Sequence, residues 1–283
     1  MAHVAALYVY PVKGARGLAT DVATLRITGL ALGAVADRQW MVVEADGRFV
    51  TQRELPRLAT VVPVLAGNAL ILTAAGRGDL AVALDAPRSE PREVIVWRSR
   101  VRAHDEGDRP AAWLSAHVGR AVRLVRFDPT DTRACNPEFA GDSGAHTLFA
   151  DGYPLLVISE ASLADLNARL ARKGEGPLPM DRFRPSIVIA GWPEYEEDYV
   201  DTVDLGGAQL RMVKPCIRCQ VTTIDQASAV AGIEPLPTLA GYRHDARLAG
   251  VRFGMNAIVT GGAGATLRVG MPVAGTLRFD AAG

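Results

Sequence analysis

Cysteine is scarce in this chain. Cys135, Cys216 and Cys219 are its three cysteines in 283 residues, too few for a disulfide scaffold. Net charge is missing too. Lys plus Arg and Asp plus Glu both number 31, so no overall basic field gathers nucleic acid or an anionic membrane surface, and an anion site has to be built locally. No apolar run is long enough to span a bilayer, and the residues up to Lys13 lack the basic flank and longer apolar stretch of a signal peptide. The expectation is a cytoplasmic monomer with no membrane or nucleic-acid partner. The five histidines, His3, His104, His117, His146 and His244, show no metal-ligand spacing. Nor is there a G-x-G-x-x-G turn between a strand and a helix to hold a dinucleotide. The cluster Gly261-Gly262-Ala263-Gly264 precedes a strand-like segment and reads as a flexible turn.

What is present is enough apolar residue, 49% of the chain, to bury a full core. Short β-prone runs fall at residues 4–10, 22–29, 69–72 and 93–97, and Asp46-Gly47 between Met41-Val42-Val43 and Phe49-Val50-Thr51 predicts a hairpin over 40–52. A helix should open at Ser159 as N-cap, with Leu163, Leu166 and Leu170 on one face, and end at Arg172-Lys173-Gly174. A shorter one fits 111–118, followed by a strand over 122–127. Strands return at 187–189, 203–205, 208–213, around 257 and over 267–273. The charged stretch Arg98 to Pro110 reads as an exposed loop. The fold class is therefore mainly β with a few helices (α+β), in two packed β-barrel-like domains divided near residues 120–130. No internal repeat is visible.

Cys216-Ile217-Arg218-Cys219 follows a predicted strand, and Gln220 to Asp225 alternates like another, which puts the pair at a strand-to-strand turn. A thioredoxin-like dithiol opens a helix, and this context is β on both sides. A zinc site wants a second C-x-x-C, which the chain lacks. Two cysteines packed as small apolar residues remain a reading. Lys214 and Arg218 flank the pair, and nearby cations favour the thiolate that a soft metal needs. Ligation to a metal carried by a cofactor stays open beside the packing reading.

Six motifs in order then carry a resemblance: Tyr10-Pro11-Val12-Lys13, Asp37-Arg38-Gln39-Trp40, Ile158 to Leu163, Phe183-Arg184-Pro185, Cys216 to Asp225, and Phe253-Gly254-Met255-Asn256. Together, over about residues 4–273, the chain resembles the mitochondrial amidoxime-reducing component family and its bacterial relatives, MOSC-domain proteins of the molybdenum cofactor. The resemblance implies an N-terminal MOSC-associated β-barrel domain over 1–125 and a MOSC β-barrel domain over 126–278, with Mo-molybdopterin between them. It implies Cys219 as catalytic residue and molybdenum ligand, while Cys216 is not used as a ligand. It gives Lys13, Gly14, Arg38, Gly152, Tyr153, Arg182, Arg184, Ile217 and Asn256 as the cofactor-binding set. Gly14 stands where relatives often have Ser, and Gly152-Tyr153 where they often have Thr-Ser, so the resemblance implies that several hydroxyl bonds to the cofactor are either absent or replaced by backbone N–H donors. Asp142 and His146 are not distinguished from ordinary loop residues.

The activity so implied is reduction of a small N-hydroxylated substrate of the hydroxylamine, amidoxime or N-oxide type. Electrons should come from a separate donor protein, a reductase, ferredoxin or cytochrome, since three cysteines cannot ligate an internal [2Fe–2S] cluster. The competing class is a molybdenum-cofactor carrier or sulfur-transfer module like that of cofactor sulfurases. A binding protein without activity is the third; metal content and a hydroxylamine-reduction assay separate the three.

Overall fold

Some strands of this chain alternate in burial, as Leu80–Ala83 does, and others such as Leu155–Ser159 are buried throughout. The computed structural model describes residues 1–278, and among them it is mainly β with four α-helices. The largest sheet has nine strands. It runs Leu18–Thr20, His3–Val9, Ile187–Ala190, Leu155–Ser159, Gly250–Gly261, Ala208–Ile217, Val200–Leu205, Ala274–Leu277, with His244–Asp245 added beside Gly250–Gly261. All described pairings in it are antiparallel except Leu155–Ser159 with Ile187–Ala190. That parallel pair needs a crossover, and the helix Glu160–Arg172 supplies it. Ser159 caps this helix through the Ala161 N–H (3.2 Å), and Leu166 and Leu170 bury against Phe183 and Phe253, as its spacing predicts.

The earlier part of the chain builds smaller sheets. One orders Pro91–Val96, Ser99–Asp105, Arg123–Phe127 and Trp40–Val43, and another orders Val62–Ala66, Ala69–Thr73 and Leu80–Ala83. Trp40–Val43 is buried on both faces: Trp40 and Val42 face one apolar cluster, Met41 and Val43 another. This is why its sequence is continuously apolar and not alternating. The hairpin expected over 40–52 forms its turn, with Val50 N–H on the Val42 carbonyl at 3.0 Å, but its return arm is a bridge at Phe49 and not a full strand.

Two expectations are corrected. The stretch Arg98 to Pro110 is not a loop: Ser99–Asp105 is a strand with Val101 and Ala103 buried, and the helix Asp108–Val118 begins three residues before the residue expected to start it. The period-two burial is masked in sequence by the intervening arginines. Gln220 to Asp225 is not a strand either. Gln220–Thr223 is a 3-10 turn in which the Thr222 and Thr223 hydroxyls each donate at 2.9 Å to the carbonyls of Cys219 and Gln220. This local back-bonding outweighs the β preference of threonine.

The two parts of the chain interleave. His3–Val9 lies inside the large sheet against Ile187–Ala190. Reciprocally, Thr266–Arg268 pairs with Val22–Arg26 in a four-stranded sheet with Gly29–Leu32 and Val35–Ala36. Residues 125 and 126, on either side of the expected division, both fall in the strand Arg123–Phe127. No helix among the described residues is long and apolar enough to cross a membrane.

Candidate functional site

Residues 10–13 run beside residues 38–40, held by Arg38 N–H on the Tyr10 carbonyl (2.6 Å), Trp40 N–H on Pro11 (2.9 Å) and Lys13 N–H on Trp40 (2.8 Å). The buried Trp40 thus fixes where Lys13 and Arg38 emerge. Both line a cleft of about 990 Å³, open mouth included, whose other walls come from Thr51, Arg184, Cys219 and Asn256. The cleft is also lined by Gly14, Gly152, Tyr153 and Ile217.

The cations crowd around one phenol. The guanidinium carbons of Arg38 and Arg184 lie 4.3 and 4.4 Å from the Tyr10 ring centroid, within cation–π range. Tyr10 is fully buried, donates to the Pro185 carbonyl at 3.0 Å and has its ionisation pushed up by burial. Its ring packs on Gly17, where a Cβ would lie 2.4 Å from the Tyr10 Cε1. Arg38 and Arg184 both have positive φ, 48° and 56°, a backbone state that costs a non-glycine residue about 1–2 kcal/mol and aims these side chains. Arg38 is ion-paired to the buried Asp37. Arg184 has no carboxylate partner among the described residues: it donates to the Ala15 carbonyl at 2.7 Å and more weakly to Gln226 Oε1 at 3.4 Å. Burial, only partly offset by Tyr10, pulls its pKa down to about 10. Lys13 is also buried, which lowers its pKa against the opposing pull of Asp151, 2.5 Å away.

Cys219 lines the same cleft, at the N-cap of the 3-10 turn just after the strand Ala208–Ile217. It is exposed, Cys216 is half-buried, and both thiols are free. Arg218 ties the turn down. Its guanidinium donates to Cys216 Sγ at 2.9 Å and to the Phe183 carbonyl at 2.7 Å, and its N–H to Val251 at 2.8 Å. Since Phe183 precedes Arg184, the same contacts fix the cysteine turn relative to that cation. Asn256 reaches the cleft from the strand Gly250–Gly261 and donates to the Lys214 carbonyl at 3.2 Å. Gly254 before it has φ +77°, and a Cβ there would meet the Val157 carbonyl at 3.0 Å and Ile158 Cγ1 at 2.6 Å; only glycine fits.

Most of the expected site residues therefore meet in one cleft. Arg182 does not: it is buried beside the cleft, ion-paired to Asp225 at 3.1 Å, with its Nε unpartnered. Tyr153 borders the cleft but its hydroxyl is buried without a partner, and burial pushes its pKa up to about 12. Neither Asp142 nor His146 lines the cleft. Sequence reasoning missed Gln52, Trp97 and Asp151. Gln52 and Gln226 exchange two amide hydrogen bonds of 3.0 Å, and Gln52 also donates to the Gly14 carbonyl at 2.7 Å, clamping early and late parts of the chain together. Nothing in a lone glutamine signals such a partner 174 residues away.

The donor set suits an anion-bearing group that carries a soft metal. An exposed thiol and three buried or half-buried cations share the cleft, and one of those cations binds only neutral oxygens. No group of three or more His, Cys, Asp or Glu side chains could hold a metal ion among the described residues, so a metal at Cys219 has to bring its other ligands with it.

Comparison with known proteins agrees with this architecture. The profile of the MOSC N-terminal beta barrel domain matches residues 1–121, and that of the MOSC domain matches 144–274. The chain is similar to mitochondrial amidoxime reducing component 2 of Rattus norvegicus, 34% identical over 247 residues, covering 85% of this chain and 72% of that protein. It is similar to the human mitochondrial amidoxime-reducing component 1, 35% identical over 246 residues with the same two shares. Among solved structures, a Bordetella bronchiseptica solution structure overlaps 32% of this chain and 72% of its own at 31% identity, with a TM-score of 0.29.

Proposed function

The chain belongs to the MOSC-domain family of the mitochondrial amidoxime-reducing components, and we propose that it is a molybdenum-cofactor-dependent oxidoreductase that reduces N-hydroxylated compounds. The observation that carries this reading is the exposed Cys219 thiol sharing one cleft with Lys13, Arg38 and Arg184. A molybdopterin ends in a phosphate, and guanidinium groups bind phosphate oxygens in pairs. Arg184, without a carboxylate partner, is the cation most available to it, with Arg38 and Lys13 beside it. Gly14, Gly152, Tyr153, Ile217 and Asn256 complete the wall, and Arg182 anchors the Met180–Phe183 turn from behind through Asp225. The units 1–125 and 126–278 meet at this cleft in our reading, clamped by Gln52 and Gln226.

When bound, the cofactor supplies a two-electron redox centre with Cys219 as the protein's ligand to the metal. The chain's own residues bind it, hold the Cys219 turn through Arg218 and keep the cleft mouth open to substrate. Reduction of an N–OH group takes two electrons and two protons and releases water. The electrons come from a separate donor protein. The carrier or sulfur-transfer alternative gains no support from relatives named as reducing components.

The test is a pair of variants. Cys219→Ser should abolish reduction of a hydroxylamine with a dye donor, because a hydroxyl is a poor ligand for a soft metal. Cys216→Ser should keep much of it. Equal activity in the two variants would remove Cys219 from the metal.

A further inference from the structure

The cleft continues outward into a second cavity. Thr51, Arg53, Trp97, Asp151, Gly152 and Tyr153 border both, while Cys219 borders only the inner one. The shared walls give a ligand in the inner cleft a route into this outer space. Its charge is unlike that of the neutral chain. Of its cations, Arg48 is taken by Glu44 and Glu54 at 2.6 and 3.0 Å. Arg133 donates to the carbonyls of Leu148, Ala150 and Asp151. The carboxylate of Asp151 already accepts from Lys13 and from the Trp97 indole N–H at 3.0 Å. Arg53, Arg98 and Lys214 are left without a carboxylate partner among the described residues, and the first two are exposed. The cavity's acids, Glu54 and Asp151, are the two already paired.

Trp97 forms the partition. It sits at the tip of the hairpin joining Pro91–Val96 to Ser99–Asp105, with φ 55° and 44% of its surface exposed. Asp151 holds its indole N–H, the Phe49 ring lies 5.0 Å away and the Arg53 guanidinium 5.1 Å over the indole. A large aromatic face held in a strained backbone state at a cavity mouth is a binding surface in form.

We propose that the outer cavity is a substrate subsite for a planar N-hydroxylated compound bearing an anionic group, with Trp97 packing on the planar part and Arg53, Arg98 and Lys214 receiving the anion. The N-hydroxyl assignment rests on the function proposed above; the planar and anionic assignments rest on the cavity itself.

The experiment is calorimetric binding of benzamidoxime and 4-carboxybenzamidoxime, two probes on one skeleton, to the cofactor-loaded protein, with their reduction measured separately. Each exposed charge pair contributes a factor of about 1.5 to 5, so the carboxylated probe should bind roughly three- to tenfold more tightly at low salt. That preference should shrink at high salt and vanish in the triple variant Arg53→Ala, Arg98→Ala, Lys214→Ala. Trp97→Ala should weaken both probes alike. Equal affinity for the two probes, or a preference that survives the triple variant, would overturn the subsite. A charge preference in binding without reduction of either probe supports the subsite and sinks the reductase reading. Equal binding with efficient reduction of both does the reverse.

Discussion

Arg184→Met should make the cofactor-free protein more stable and less able to hold phosphate. Methionine keeps an apolar stem and removes the guanidinium that lies over Tyr10, a group whose pKa falls from 12.5 to about 10 on burial. At 1.36 kcal/mol per pH unit, that fall corresponds to about 3 kcal/mol of disfavoured charge. Against this gain stands the Ala15 carbonyl, which loses its 2.7 Å donor; a buried acceptor left unmade costs about 1–3 kcal/mol. The difference is a net stabilisation of about 0–2 kcal/mol, or up to roughly 8 °C in Tm for a chain of this size. Inorganic phosphate should raise the Tm of the unsubstituted protein by binding only the folded state, by about 1.4 kcal/mol at ten times its Kd, and should do much less for the variant. Scanning calorimetry with and without phosphate reads both effects. A variant that is destabilised and still gains as much from phosphate would show that Arg184 is a structural cation and not one waiting for an anion.

Two further predictions address the supports of the site and a buried carboxyl beside the helix Glu160–Arg172. Gly17→Ala puts a methyl group where the buried Tyr10 ring lies, so the ring must shift and carry Arg38 and Arg184 with it; molybdenum content of the purified protein should drop severalfold, and unchanged content would refute the ring's positioning role. Glu197 is wholly buried, accepts from the Ser162 hydroxyl at 2.8 Å, and is raised by burial from 4.5 to about 7. A carboxyl whose pKa is higher folded than unfolded binds the extra proton in the native state. Its contribution is thus full below pH 4.5 and lost as pH rises through about 7, amounting to about 3 kcal/mol. Glu197→Gln should flatten that part of the urea-unfolding pH profile; a parallel profile would show that the proton is not taken up there.

The sequence was most legible where one local rule acted alone. Ser159 with its leucines gave the helix Glu160–Arg172, and Lys13, Arg38, Arg184 and Cys219 were found through motifs that do meet in one cleft. Cooperation between distant groups was not legible. The Gln52–Gln226 amide pair and the Asp151 carboxylate shared by Lys13 and Trp97 depend on backbone turns that place them, and each residue alone looks like ordinary loop polarity. Ser99–Asp105 was missed because Arg100 and Arg102 point outward from a strand whose buried residues are the small Val101 and Ala103. Gln220–Thr223 was misread because threonine hydroxyls can close a helical turn as readily as they suit a sheet.

The pairing of His3–Val9 with Ile187–Ala190 sets a clock on synthesis. The strand His3–Val9 leaves the ribosome long before Ile187–Ala190 exists. At roughly 5–20 residues per second, about 180 further residues take on the order of 10–40 s. During that interval the strand has Leu18–Thr20 on one edge while its other edge lacks its native partner, and although Trp40 already holds the Lys13 backbone, Arg184 and Cys219 do not yet exist to complete the cleft. The smaller sheets between them can form earlier from sequence-near strands. The cleft is therefore completed late, only once this early strand has been closed into the large sheet.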